Sequence, residues 1–273
     1  MNSGTDIGGK SAIVTGAAGG IGEAIAQRLL ERGAASVVLT DLDSDRLDVA
    51  AERLRNSYPQ KVDHLAGDAT DETHLRAVTA RDVDLYFANA GIFRGFGLEA
   101  DEDDWGSSWD VNVMAHVRAA RLLVPRWVER AEAGEEGGCF VSTASAAGLL
   151  VQLGSATYTT SKHAALGFSE WLAATYGDRG VQVCCLCPMG VRTPMTTGGD
   201  IQENPDGRVA HAAVAGAGEM LSPLTVADVV LDAVEEGRFL ALPHVGVDAM
   251  QQGKAADRDH WLAGMQRLRR AVE

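Results

Sequence analysis

Short apolar runs alternate with stretches whose apolar positions recur every three to four residues, from one end of the chain to the other. The runs at 11–15, 36–40, 62–65, 83–88, 139–142, 181–186 and 239–242 are short and rich in β-branched residues, which predicts strands. Residues 21–32, 45–57, 71–80, 103–132, 158–176 and 225–236 carry the helical period, and 248–271 reads as a closing helix. Several strands are apolar along their whole length, as a parallel sheet covered on both faces requires. Repeated β-α alternation then predicts an α/β fold: a doubly wound parallel sheet of about seven strands with helices on both faces. No linker, charge block or internal repeat divides residues 1–273, so they are expected to form one domain. The longest stretch without a pattern is 189–222, rich in Gly and Ala. It reads as a substrate-binding loop or lid, or in part as a short helix around 209–220.

Composition narrows the function. The chain has 46% hydrophobic and 23% charged residues, which excludes disordered, collagen-like and coiled-coil classes. Lys+Arg 24 against Asp+Glu 38 leaves −14, a balance that opposes nucleic acid, anionic membrane and acidic carrier partners. No run of about 18 apolar residues suggests a membrane span. The first ten residues lack the apolar segment of a signal peptide, so a cytoplasmic protein is expected. Cys184, Cys185 and Cys187 share one apolar run and Cys139 opens another. Adjacent strand residues point to opposite faces, so the three cannot converge on one ion; they read as buried thiols in a reducing compartment, and no metal is expected.

Candidate chemistry begins where the first strand runs into Thr15-Gly16-Ala17-Ala18-Gly19-Gly20-Ile21-Gly22 and a helix follows. Glycines there permit a tight turn and close approach of backbone to a pyrophosphate, which would sit at the positive end of the helix. Asp41 ends the second strand, 19 residues beyond Gly22. That carboxylate suits the ribose hydroxyls of NAD and would repel the 2′-phosphate of NADP, unless it is a simple helix cap. Further on, Tyr158 and Lys162 stand at i and i+4 on one helix face, with Ser145 13 residues before the tyrosine. A nearby cation favours phenolate and lowers a tyrosine pKa from about 10 towards neutrality.

Thr15-Gly-x-x-x-Gly-x-Gly22, Asn89-Ala-Gly91, Asn112, Ser145 and Tyr158-x-x-x-Lys162 occur in the order and spacing of the short-chain dehydrogenase/reductase family, which the chain resembles from Lys10 to about Leu242. The resemblance implies a Rossmann-type three-layer fold and an NAD(P)-dependent oxidoreductase in which Tyr158 exchanges a proton with the substrate oxygen. Ser145 would polarise that oxygen, Lys162 would bind the nicotinamide ribose and lower the Tyr158 pKa, and Asn112 would steady a relay water. Gly16, Gly20, Ile21, Gly22 and Asp41 would hold the adenosine and pyrophosphate. Asn89, Ala90 and Gly91 would lie along the cofactor, and Asp68-Ala69 beside the adenine. Pro188, Gly190, Val191 and Thr193 match the segment that meets the nicotinamide, although Met189 stands where the family usually has glycine. Homodimers or homotetramers pairing through 103–132 and 158–176 are implied as well.

Two other outcomes stay open: a dehydratase or epimerase on the same scaffold, and a silent dinucleotide-binding regulator. His116, His163 and His211 lack metal or carboxylate spacing and read as structural or surface residues; Trp105 and Trp109 read as a packing face. Phe93, Phe96, Met189 and Met195 lie near the expected pocket, and Arg192 is the single cation in 187–203. Unless these apolar residues simply pack the sheet edge, an uncharged, mainly apolar secondary alcohol or ketone is expected, steroid-like or terpene-like if cyclic.

Overall fold

The seven apolar runs pair side by side in one parallel sheet in the computed structural model, which describes residues 4–197 and 203–272. Strands β1 (Ser11–Thr15), β2 (Ser36–Thr40), β3 (Val62–His64), β4 (Leu85–Ala88), β5 (Gly138–Thr143), β6 (Val181–Leu186) and β7 (Leu240–Ala241) stand in the order β3-β2-β1-β4-β5-β6-β7. Val14 of β1 lies level with Leu39 on one side and Phe87 on the other. The order reverses between β1 and β4, so successive crossovers leave in opposite directions and open a crevice at the carboxyl ends of those two strands.

Alternation along each strand feeds two apolar layers. Ala12, Val14, Val37 and Leu39 pack with α1 (Gly20–Glu31), α2 (Ser44–Ser57) and a later helix at Pro223–Glu235. Ile13, Val38, Tyr86 and Phe140 face the other way, onto α3 (Glu72–Val78) and two long helices behind β4 and β5. Trp127 is the largest side chain in that layer, and its ring nitrogen still donates to Val83 O at 2.6 Å. Complete burial of such side chains, at about 1.5–3 kcal/mol each, is the main stabilising term on both faces.

The predicted helix 103–132 is three pieces: α4 (Glu102–Trp109), a π turn at Asp110–Met114 and α5 (Ala115–Glu132). At the turn Ala115 N bonds back five residues to Asp110 O, and Asn112 inside it is drawn to the loop after β4. A four-residue helix, α6 (Ala146–Leu149), and α7 (Ala156–Tyr176) follow β5. The expected loop 189–222 is largely structured: α8 (Pro194–Thr197), α9 (Pro205–Gly216) capped by Asn204, and a bridge between Val191 and Leu221. Of this expected lid, 198–202 lie outside the described residues. Next comes α10 (Pro223–Glu235). The closing helix is two, α11 (Val247–Ala256) and α12 (Arg258–Val272), because Asp257 leaves the helical conformation and its carboxylate accepts from His260 N.

Candidate active site

The crevice at the carboxyl ends of β1 and β4 begins with the glycine loop. A side chain at Gly22 would place its Cβ 2.1 Å from Gly16 O, and one at Gly16 would meet Ala90 Cα at 2.9 Å, so only glycine lets loop, helix and β4 close together. Side chains cap α2, α3, α4, α6 and α7, whereas α1 has no side-chain cap. Among the described residues no side chain is bonded to its first N–H groups, which suits an anion at the positive helix end. Asp41 stands at the edge of this cradle, with Oδ2 accepting from Ala18 N at 3.0 Å and Oδ1 from Asp43 N at 3.2 Å. Asn89 ties three strand ends together: its amide donates to Thr15 O at 3.1 Å, and Thr143 Oγ1 donates to its Oδ1 at 3.1 Å. Thr15 Oγ1 takes the backbone N–H of both Asn89 and Ala90. A dinucleotide fits these residues: bare helix N–H groups for the pyrophosphate, a fixed carboxylate for the ribose and a glycine cradle with no room for side chains.

The same cavity, about 680 Å³, continues from the cradle past Ser145, Tyr158 and Lys162. Ser145 caps α6, accepting from Ala147 N at 3.1 Å, and its hydroxyl donates to Pro188 O at 3.3 Å. Tyr158 packs edge-on to Phe93 with ring centres 4.8 Å apart. Burial raises the Tyr158 pKa above that of an ordinary tyrosine, and the Ser145 hydroxyl works against it. The lowering expected from Lys162 does not hold: burial dominates Tyr158, while the Lys162 ammonium is turned to Thr143 O at 2.9 Å, 5.7 Å from the Tyr158 ring centre, and burial drops its own pKa to about 8. Asn112 is fully buried behind the wall. Its Oδ1 accepts from Ile92 N, and its amide donates to Ile92 O and Ser161 Oγ, so the side chain expected to steady a relay water is already engaged.

Gly16, Gly20, Ile21, Asp41, Asn89, Ala90, Gly91, Pro188, Val191 and Thr193 all line the cavity. Gly22 and Gly190 do not; each packs backbone closely behind it, Gly190 against Met220 Sδ. Asp68 and Ala69 lie in the turn after β3, off the cavity wall, where Asp68 Oδ1 accepts from Thr70 N at 2.7 Å. Met189, in the place of the family glycine, lines the cavity and is held by a residue the sequence reading did not single out. His244 Nδ1 accepts from Met189 N at 3.2 Å, so its Nε2–H donates to Gly190 O at 3.0 Å. Also missed were Met250, Trp261, Met265 and Leu268 of α11 and α12, which wall the far end. Helical period alone does not tell such residues from core-facing ones.

A family profile described as short chain dehydrogenase matches residues 10–204. The chain belongs to the short-chain dehydrogenase/reductase family. It is therefore an oxidoreductase acting on CH–OH groups with a nicotinamide cofactor. A 1-deoxy-11-beta-hydroxypentalenate dehydrogenase from Streptomyces avermitilis is 34% identical over 238 residues, 84% of this chain and 82% of that protein. A 3beta-hydroxysteroid dehydrogenase 2 from Eggerthella lenta is 32% identical over 198 residues, 70% of this chain and 74% of that one. The fold matches a family member from Burkholderia phymatum in complex with NAD, at TM-score 0.83 and 26% identity over 93% of this chain and 96% of that one. It also matches the fold of a Sphingobium yanoikuyae enzyme in complex with NADPH, at TM-score 0.76 and 24% identity over 93% and 95% of the two chains.

Proposed function

We propose that this protein is an NAD-dependent dehydrogenase interconverting a secondary alcohol and a ketone, with Tyr158 as general acid/base and an apolar, uncharged substrate. The observation that carries the reading is the placement of Ser145, Tyr158 and Lys162 on one wall of a cavity that begins at the glycine cradle. NAD, when bound, supplies the hydride acceptor, and NADH the donor. The chain's own residues handle the oxygen. Ser145 offers its hydroxyl hydrogen to the substrate oxygen. Tyr158, held protonated by burial, gives its O–H proton to that oxygen in reduction and takes it back in oxidation. Lys162, withdrawn from Thr143 O, holds the nicotinamide ribose and favours the phenolate.

The substrate class follows from the walls. Leu150, Val151, Leu153, Met189, Val214 and Met220 line the region beyond the catalytic groups, continuous with Trp261 and Met265. The Lys and Arg residues among the described lining are Lys162 and, at the adenosine end, Arg46; Arg192 donates instead to Met220 O. An anionic or carrier-bound substrate has no clamp there, whereas a bulky cyclic alcohol suits the apolar walls. The named activities of the hydroxypentalenate and hydroxysteroid relatives support that class. We assign the protein to the cytoplasm, where its four buried thiols stay reduced.

The test is NADH absorbance with a panel of cyclic secondary alcohols and sugars, run on the parent and on Tyr158→Phe. The cyclic alcohols should win on kcat/KM, and the variant should bind NADH while turnover falls about 10²–10⁴-fold. Turnover near the parental level in Tyr158→Phe removes the assigned role.

A further inference from the structure

Lys254 of α11 is a buried cation, 7% exposed, that the reaction does not use. Its Nζ donates to Leu149 O at 2.7 Å and to Leu150 O at 2.8 Å. Those carbonyls end α6, the helix whose first turn Ser145 caps. Ser145 thus satisfies an N–H at the start of α6, and Lys254 satisfies the carbonyls at its end. The third ammonium hydrogen reaches His163 Nε2 at 3.4 Å. His163 adjoins Lys162, and its Nδ1 donates to Thr159 O at 2.9 Å, which leaves Nε2 as an acceptor. The Trp261 ring lies against the same ammonium, 5.1 Å from ring centre to Nζ, and lines the cavity from α12.

One buried charge therefore joins three walls of the cavity: the strap that runs from Ser145 to Leu153, α7 through His163, and the C-terminal helix pair. Burial pulls the Lys254 pKa below that of an ordinary lysine, so the charge is held there at a cost. A leucine or methionine would fill the space without that cost if packing were the whole requirement. What an apolar residue lacks is three donors aimed at fixed acceptors.

We propose that Lys254 is a positioning residue for substrate: it locks α11 and α12 against the Ser145 strap, and so sets the closure of the cavity around a bulky apolar substrate. The proposal rests on the reading of that end as the substrate end. Lys254→Met keeps the aliphatic stem and removes the donors. Hydrogen bonds from a charged donor are strong enough that KM for a bulky cyclic ketone should rise about tenfold. The kcat, the NADH dissociation constant and KM for a small acyclic ketone should stay near parental values. Lys254→Arg should recover part of the loss, and Trp261→Leu should shift the bulky-to-small preference in the same direction. Hydrogen exchange gives a readout free of turnover: amides of 146–153 and 247–272 should exchange faster in Lys254→Met while those of β1 and β2 do not change. Unchanged exchange in both segments, or equal acceleration throughout the chain, overturns the proposal. So does an unchanged preference in Trp261→Leu, a comparison that stands even if Lys254→Met does not fold. A parent that turns over no ketone refutes the proposed function instead, and the exchange experiment still decides Lys254.

Discussion

His116 Nδ1 and Ser142 Oγ lie 2.8 Å apart, buried between α5 and β5, and His116 Nε2 has no hydrogen-bond partner among the described residues. Burial, helped by the charge of Lys162, pushes the His116 pKa down to about 3. The ring is neutral when folded, while the unfolded chain protonates it below about pH 6.5. The unfolded state then binds more protons, so the contribution of His116 is complete above pH 6.5 and is lost as pH falls towards 3. Denaturant titrations should show the parent losing up to about 1.4 kcal/mol more per pH unit than His116→Gln between pH 6.5 and 4.5. Parallel acid limbs for the two proteins contradict the assignment.

Cofactor choice turns on Asp41, whose carboxylate is pinned by Ala18 N and Asp43 N at the cavity edge. The guanidinium of Arg46 lies above the loop, 2.9 Å from where a Gly19 Cβ would be, and it is the cation nearest this cradle on the cavity wall. The pinned carboxylate should outweigh the guanidinium, because a carboxylate repels a 2′-phosphate. Fluorescence titration should show tighter binding of NADH than of NADPH. Asp41→Ala should narrow the gap, and adding Arg46→Ala should widen it again. A parent that binds NADPH as tightly as NADH rules out the NAD assignment.

Assembly is expected through α4, α5 and α7. Trp109 is 46% exposed and Trp171 54%, and Trp171 stacks with Phe168 and meets Tyr176 edge-on, an aromatic patch on the outer side of α7. A stable pairing buries about 1,200–2,000 Å² and draws on such anchors. Light scattering at micromolar concentration should give a dimer or tetramer, and Trp171→Glu should lower the mass. A monomeric parent refutes this.

The fold was legible because a parallel sheet covered on both faces makes its strands apolar throughout, and the turns between them carry glycine. Strand ends moved by one to two residues: β4 starts at Leu85, not Val83, and β7 keeps only Leu240 and Ala241. The two broken helices were not legible. The residues around Asn112 and Asp257 have helical period on both sides, and only their bonds to Ile92 and His260 show where the helix yields.

The sequence by itself determined the family and, with it, the class of reaction. A glycine-rich turn between strand and helix, an acid ending the second strand, and a Ser, Tyr and Lys in fixed spacing are local patterns, and local patterns survive without coordinates. Tertiary structure alone decided what surrounds them. It turned Lys162 to Thr143 O and let burial, not the lysine, dominate Tyr158. It brought His244 to Met189 and Lys254 to α6 across long separations in the chain. Hydrogen bonding and desolvation depend on which distant groups meet in space, and one sequence read in order holds no record of that meeting.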